Sequence, residues 1–172
     1  MPIAYDPEQL AIDTILEFDR ILRESIGRSK CKSLSRRAAE APQLLQQTGL
    51  VTEALFYISK SDDNLLKTLV ELLEHRGKVE NNSIRSLSDE CEREGKGHTV
   101  LLAILAKALR RLASQGLLDE AGKECIEVND TRTIAKCLKA LREWGVELRA
   151  EKLLQPFLVA VKRLTEALYG EK

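Results

Sequence analysis

The segment from Leu34 to Lys60 constrains the fold more than any other part of the chain. Its apolar residues recur at helical spacing on both sides of Gly49, a residue type that often ends a helix in a left-handed conformation. Pro42 lies inside the first half and predicts a kink or a restart of that helix. The segment therefore predicts two helices that meet at a corner, with a shared set of buried apolar side chains: Leu44, Leu45, Leu50, Ala54, Leu55 and Ile58.

The composition extends the helical prediction to the whole chain. Of the 172 residues, 44% are hydrophobic, 31% are charged and only 4% are aromatic. These proportions are typical of a folded domain, and the scarcity of aromatic residues favours helix over sheet. We predict an all-α fold, in which a single domain at 1–172 forms a bundle of about six to eight helices. A polar connection is expected at about 78–98, with a short helix at 86–94.

Capping residues and apolar stripes predict individual helices. Asp6 followed by Pro7 predicts the start of the first helix, and Asp130 predicts the start of a later one. The segment at 99–114 is apolar on most sides, which predicts a central, largely buried helix. The last helix contains Pro156, where a kink is expected.

The charges are balanced overall but not locally. With 27 basic and 27 acidic residues the net charge is zero, so bulk charge does not indicate a nucleic-acid partner. One stretch nevertheless holds five cations and no acid: Arg28, Lys30, Lys32, Arg36 and Arg37. Phosphate is a natural neutralising partner for such a stretch, and the acidic outer face of the first helix is the alternative. No aromatic residue lies nearby in the sequence, so contact with the phosphate backbone is expected.

Two further basic clusters lie on predicted helices. Lys107, Arg110 and Arg111 form the polar edge of the central helix, where attraction to the helix dipole would explain the two arginines without any ligand. Lys162 and Arg163 flank the apolar seam of the last helix. The candidate nucleic-acid-binding residues are therefore Lys32, Arg36, Arg37, Lys107, Arg110, Arg111, Lys162 and Arg163.

Two blocks of the sequence also resemble a known family. The first contains Arg36-Arg37, Ala41-Pro42, Leu44-Leu45, Thr48-Gly49-Leu50, Ala54-Leu55, Phe56-Tyr57 and Lys60, and the second contains Lys162-Arg163-Leu164 and Glu166-Ala167-Leu168. In this order they resemble the small all-helical subunit of the type III-B (Cmr) CRISPR effector complex. The resemblance implies an antiviral-defence subunit that stacks along the backbone subunits and helps to line the RNA channel. Its partners would be the other subunits, guide RNA, target RNA and copies of itself.

The sequence offers few groups for catalysis. His75 and His98 are the only histidines, and Glu71, Glu74 and His75 supply one cluster where a di-iron bundle needs two Glu-x-x-His motifs. The segment at 95–99 lacks the length and the preceding strand of a phosphate-binding P-loop. We therefore predict no enzymatic activity, no metal ion and no cofactor.

Compartment and alternative function follow from what the sequence lacks. The four cysteines stand singly, without a Cys-x-x-Cys pair, and are predicted to be free and reduced. The first residues have no signal-peptide pattern, and the apolar run at 100–106 is too short to span a bilayer. We predict a cytoplasmic protein that does not associate with membranes. The alternative function is a helical protein–protein interaction adaptor without a nucleic-acid role.

Overall fold

The computed structural model describes residues 4–74 and 80–170 of the chain. These residues contain nine α-helices and no strand, so the predicted all-α class is confirmed and the helix count is slightly higher than predicted. A 3₁₀ turn at Asp119–Ala121 precedes the short α7. The helices are α1 (Pro7–Ile26), α2 (Lys32–Thr48), α3 (Leu50–Lys60), α4 (Asp63–Glu74), α5 (Asn81–Glu92), α6 (His98–Ser114), α7 (Gly122–Cys125), α8 (Thr131–Glu143) and α9 (Glu147–Tyr169).

One continuous hydrophobic core joins these helices. Helix α6 lies at its centre, as predicted, and every residue from His98 to Ala106 is buried. Helices α3 and α4 pack against α6, while α9 packs along α1 and α2. Burial of so many aliphatic side chains is the main source of stability in a helical domain. None of the described helices is long and apolar enough to cross a membrane.

The predicted caps of α1 and α8 are present. The Asp6 carboxylate accepts a hydrogen bond from the backbone N–H of Gln9 at 3.1 Å. At the start of α8, Asp130 and Thr133 form a reciprocal capping box. Such caps satisfy backbone N–H groups that have no partner within the helix, and they fix where each helix begins.

Helices α2 and α9 run antiparallel, and α9 completes the start of α3. The first turns of α2 lie beside Tyr169 at the end of α9, whereas Glu147 and Glu151 near its start reach α3. The backbone N–H of Leu50 donates to Glu151 Oε1 at 2.8 Å, and that of Val51 donates to Glu147 Oε1 at 3.3 Å. Helix α3 has no side-chain cap of its own. The two carboxylates therefore supply both the missing acceptors and the negative charge favoured at a helix N-terminus.

The predicted corner between α2 and α3 is present, with differences in detail. Gly49 has a positive φ of 86°, but its ψ of 162° lies outside the left-handed helical region, and α3 begins at the next residue. Leu45, Leu50 and Ala54 are buried as predicted, whereas Leu55 is exposed and its predicted core position is wrong. Helix α2 does not restart at Pro42 but continues through it.

A longer helix occupies the predicted polar connection. Helix α5 spans 12 residues, so the shorter helix predicted at 86–94 is wrong in its start and length. Leu87, Glu90 and Cys91 on this helix are buried, which a solvated loop would not achieve. The candidate metal ligand His75 lies outside the described residues.

The cysteines form two disulfide bonds, so the prediction of free, reduced cysteines is wrong. Cys31 at the start of α2 is bonded to Cys91 on α5, and Cys125 on α7 is bonded to Cys137 on α8. The partners lie 60 and 12 residues apart in sequence. Isolated cysteines carry no pairing signal in a single sequence, because only the packing of the helices brings them together.

Candidate nucleic-acid interface

The structure divides the predicted basic residues among three helices. Lys32, Arg36 and Arg37 lie in the first turns of α2, and the central cluster lies in the second half of α6. Lys162 and Arg163 lie in the second half of α9. The surroundings of the three groups differ.

The start of α2 forms an exposed basic surface. Lys32 and Arg36 line a shallow cleft that is closed on its far side by the end of α9. Lys32 also lines an adjoining open depression together with Arg28 and Lys30 from the α1–α2 loop. We call these four residues, Arg28, Lys30, Lys32 and Arg36, the α2 basic surface.

Several contacts hold the α2 basic surface in place. Helix α1 ends at Gly27, whose left-handed conformation turns the chain. The Cys31–Cys91 disulfide ties the start of α2 to α5, and Ser33 Oγ donates to the carbonyl oxygen of Arg93 at 2.9 Å. Cys31 provides no side-chain cap, so the positive end of the α2 dipole adds to the charge of the lysines.

Arg28 of this surface is engaged within the protein. Arg28 forms an ion pair with Glu92 on α5. For Arg28 the neutralising carboxylate comes from α5 and not from the acidic outer face of α1. The side chains of both ion-pair partners are nearly half exposed, so an incoming phosphate can compete for Arg28.

Arg37 does not share the exposure of Arg36. It packs against the backbone of Gly97, and its Nε atom is buried without a hydrogen-bond partner in the described parts of the chain. Its Nη1 atom lies 3.9 Å from a carboxylate oxygen of Glu40. Arg37 therefore belongs to the boundary between α2 and the start of α6 rather than to the α2 basic surface.

Two of the α6 cations connect structural elements. Lys107 Nζ donates to the carbonyl oxygen of Leu73 at 2.8 Å, and burial lowers the pKa of this lysine. Arg110 Nη1 donates to the carbonyl oxygen of Val128 at 3.1 Å. These contacts give both residues a packing role at the ends of neighbouring segments. Arg111 is exposed on the same helix.

The α9 cations point to different neighbours. Arg163 lines an apolar groove between α1 and α9 that also contains Ile12 and Val159. Lys162 precedes Glu166 by four residues, and Glu166 lines the cleft beside Arg36. Lys162 therefore lies one helical turn before a residue of that cleft, whereas Arg163 belongs to the apolar groove.

Sequence reasoning missed a buried polar cluster between α2, α3 and α6. Glu53 and His98 are each only 3% exposed. The Tyr57 hydroxyl donates to Glu53 Oε1 at 2.5 Å, while Glu53 Oε2 and both ring nitrogens of His98 have no partner among the described residues. The available signal was the spacing of α3, because Glu53 falls on the same stripe as Leu50, Ala54 and Tyr57.

Burial shifts the ionisation of this cluster. It raises the pKa of Glu53 to about 7, and the hydrogen bond from Tyr57 opposes the shift only in part. It also lowers the pKa of His98 to about 4, assisted by the positive charges of Arg37, Lys60 and Lys96. A charged group in an apolar interior loses hydration, so both side chains favour their neutral forms.

Glu90 forms a second buried carboxylate site nearby. Its Oε1 atom accepts hydrogen bonds from the backbone N–H groups of Gly97 and Thr99, both at 2.8 Å. These bonds fix the turn that leads into α6. Within residues 4–74 and 80–170, no group of three or more His, Cys, Asp or Glu residues is arranged to hold a metal ion.

Comparison with known proteins identifies no relative. No protein-family model, no curated protein and no solved structure matches the chain. The resemblance to the small Cmr subunit thus stays a prediction from the sequence.

Proposed function

We propose that the chain is a non-catalytic small subunit of a type III-B CRISPR RNA-guided effector complex, and that it contacts guide or target RNA through the α2 basic surface. The observation that carries the proposal is the α2 basic surface itself, where exposed Lys32 and Arg36 lie beside Lys30 at a helix N-terminus. The sequence resemblance supplies the identity of the complex.

The attraction for RNA depends on the local charge of this surface and not on the total charge of the chain. Release of counterions from RNA favours binding wherever several cations lie within reach of successive phosphates. In a chain of zero net charge, such attraction has to come from a surface where cations outnumber acids. Contacts of this kind bind the phosphate backbone of the RNA and do not distinguish its base sequence.

A cytoplasmic location is part of the proposal. Disulfide bonds such as those of Cys31 and Cys125 are rare in the cytosol of most organisms but common in hyperthermophiles. The proposal therefore implies a hyperthermophilic host.

The test compares two pairs of charge reversals with the same helical spacing. Lys32→Glu with Arg36→Glu removes the centre of the α2 basic surface. Arg132→Glu with Lys136→Glu is the matched control, since these exposed residues lie four apart on α8 and change the net charge equally. Binding of a short single-stranded RNA is measured by fluorescence anisotropy over a series of salt concentrations.

The first pair should weaken binding and lower the log–log salt slope by about 1.4, because each lost phosphate contact in single-stranded RNA removes roughly 0.7. The control pair should change the slope far less. Equal effects of the two pairs would assign binding to overall charge and refute the surface.

A second candidate function is a helical protein–protein interaction adaptor without a nucleic-acid role. Trp144 and Leu148, four residues apart at the turn between α8 and α9, are large apolar side chains that are mostly exposed. Aromatic residues of this kind are enriched where proteins bind one another. Purification of the tagged chain with its genomic neighbours, followed by native mass spectrometry with and without ribonuclease, separates the two functions. Guide RNA of uniform length supports the effector subunit, and protein partners without RNA support the adaptor.

A further inference from the structure

An exposed aromatic ring lies beside the buried polar cluster. Phe56 on α3 is 45% exposed. Its ring meets that of His98 edge to face, with centroids 5.4 Å apart and an interplanar angle of 85°. His98 is buried and lies at the start of α6. The Phe56 ring is therefore supported from the protein side while much of it faces solvent.

Three cations lie on the segments next to this position. Arg37 of α2, Lys60 of α3 and Lys96 of the turn before α6 all act on the His98 ring electrostatically. Lys60 follows Phe56 by four residues, so the two lie on one face of α3. The close packing of Gly97 on Arg37 brings the turn carrying Lys96 against α2.

Few carboxylates pair with these three cations. Neither Lys60 nor Lys96 forms an ion pair with any residue in the described ranges, and Arg37 reaches Glu40 only at 3.9 Å. Glu53 lies on the inner side, where it bonds to Tyr57. The surface thus combines an open aromatic ring with excess positive charge.

This combination fits a nucleotide better than it fits a protein segment. An acidic peptide would use the cations but leave Phe56 in water, and an apolar helix would cover Phe56 at the cost of dehydrating the cations. A nucleotide satisfies both, because its base stacks on the ring while its phosphates meet the cations.

We propose that Phe56 is a stacking platform for a base of single-stranded RNA, and that Arg37, Lys60 and Lys96 hold the adjoining phosphates. The proposal rests on the proposed function and adds a base contact to it. Arg37 directly follows Arg36 in α2, so one of the phosphate-holding residues is next in sequence to the α2 basic surface. Stacking of this kind accepts any base, because every base has a π-face.

The test measures how strongly binding depends on the presence of bases. Fluorescence anisotropy is recorded at low salt with a short oligouridine and with an abasic ribose-phosphate strand of the same length. The wild-type chain should bind the oligouridine roughly 5- to 150-fold more tightly, the range expected for stacking of a single base. Phe56→Leu, which keeps apolar packing against His98, should lose this preference, and Phe56→Trp should keep it.

Leu55→Ala is the matched control, because Leu55 is the neighbouring residue and is 50% exposed. It should leave the preference unchanged, and thermal unfolding monitored by circular dichroism verifies that each variant folds. The stacking platform would be overturned by an unchanged preference for the oligouridine in Phe56→Leu, or by no such preference in the wild-type chain. The proposed function would survive either result if Lys32→Glu with Arg36→Glu still weakens binding to both strands. If the wild-type chain binds neither strand, the proposed function fails as well.

Discussion

Replacing Glu53 with Gln should change how the stability of the protein depends on pH. The Glu53 carboxyl is buried on α3 and accepts a hydrogen bond from Tyr57. Glutamine keeps the size of the side chain and an oxygen acceptor for Tyr57, but it cannot titrate. The substitution therefore removes a proton-binding group with little change in packing.

The sign of the Glu53 contribution follows from its raised pKa. The carboxyl titrates near 4.5 when unfolded and near about 7 when folded. Between these values the folded chain keeps a proton that the unfolded chain has lost, so stability falls as the pH rises. At 1.36 kcal/mol for each pKa unit, the loss amounts to about 3 kcal/mol across this window.

His98 acts in the opposite direction. Its pKa is 6.5 in the unfolded chain and about 4 in the folded chain. Between these values the unfolded chain holds the extra proton, so stability rises with pH, again by about 3 kcal/mol. From pH 4.5 to 6.5 the two contributions nearly cancel in the wild-type protein.

Glu53→Gln removes the Glu53 contribution and leaves that of His98. The free energy of unfolding of the variant, relative to the wild-type value, should rise by about 2 kcal/mol between pH 4.5 and 6.5. His98→Gln should give a relative change of similar size and opposite sign. Urea unfolding followed by far-ultraviolet circular dichroism at several pH values measures both differences, and the contributions of surface groups cancel in them. Parallel curves for wild type and Glu53→Gln would refute the reasoning.

Two further predictions concern backbone and covalent constraints. Replacing both Cys31 and Cys91 with Ser should lower stability by about 4 kcal/mol, and replacing Cys125 and Cys137 by about 3 kcal/mol, because the entropy of the unfolded chain depends on the length of the closed loop. Urea titration of the unreduced proteins measures this, and a larger loss from the second pair would contradict the loop-length argument. Gly97→Ala should cost about 3 kcal/mol or more, because a Cβ atom would lie 2.5 Å from the carbonyl oxygen of Ser33 at a φ of 107°. Gly95→Ala is the control, since φ there is also positive but nothing lies within 4 Å, and its thermal unfolding should reflect a cost of only about 1 kcal/mol.

Helical periodicity predicted most of the architecture, because burial of one helix face requires apolar residues at helical spacing. The central place of α6 followed from the apolar residues on most of its sides. Leu55 was misplaced because α3 is apolar on more than one side, so spacing alone did not identify which side faces the core. The length of α5 was underestimated because its polar composition hides the few buried residues that hold it.

The candidate site was only partly predictable. The charge run at the start of α2 was visible in the sequence, but the separate environments of Arg36 and Arg37 depend on what packs against the helix. Lys107 resembled a ligand-binding cation until its carbonyl partner on α4 was known. The disulfides and the contact between Phe56 and His98 join residues far apart in sequence, which no local pattern specifies.

The capping of α3 by Glu147 and Glu151 links the middle of the chain to its last helix. During synthesis, α3 leaves the ribosome about 100 residues before these carboxylates do. The backbone N–H groups of its first turn therefore lack these acceptors until α9 has been made. Because contacts between distant residues slow folding, this step should come late and make α3 and α9 order together. A chain truncated before α9 would lose more than the helix removed, since α3 would also be left without acceptors at its first turn.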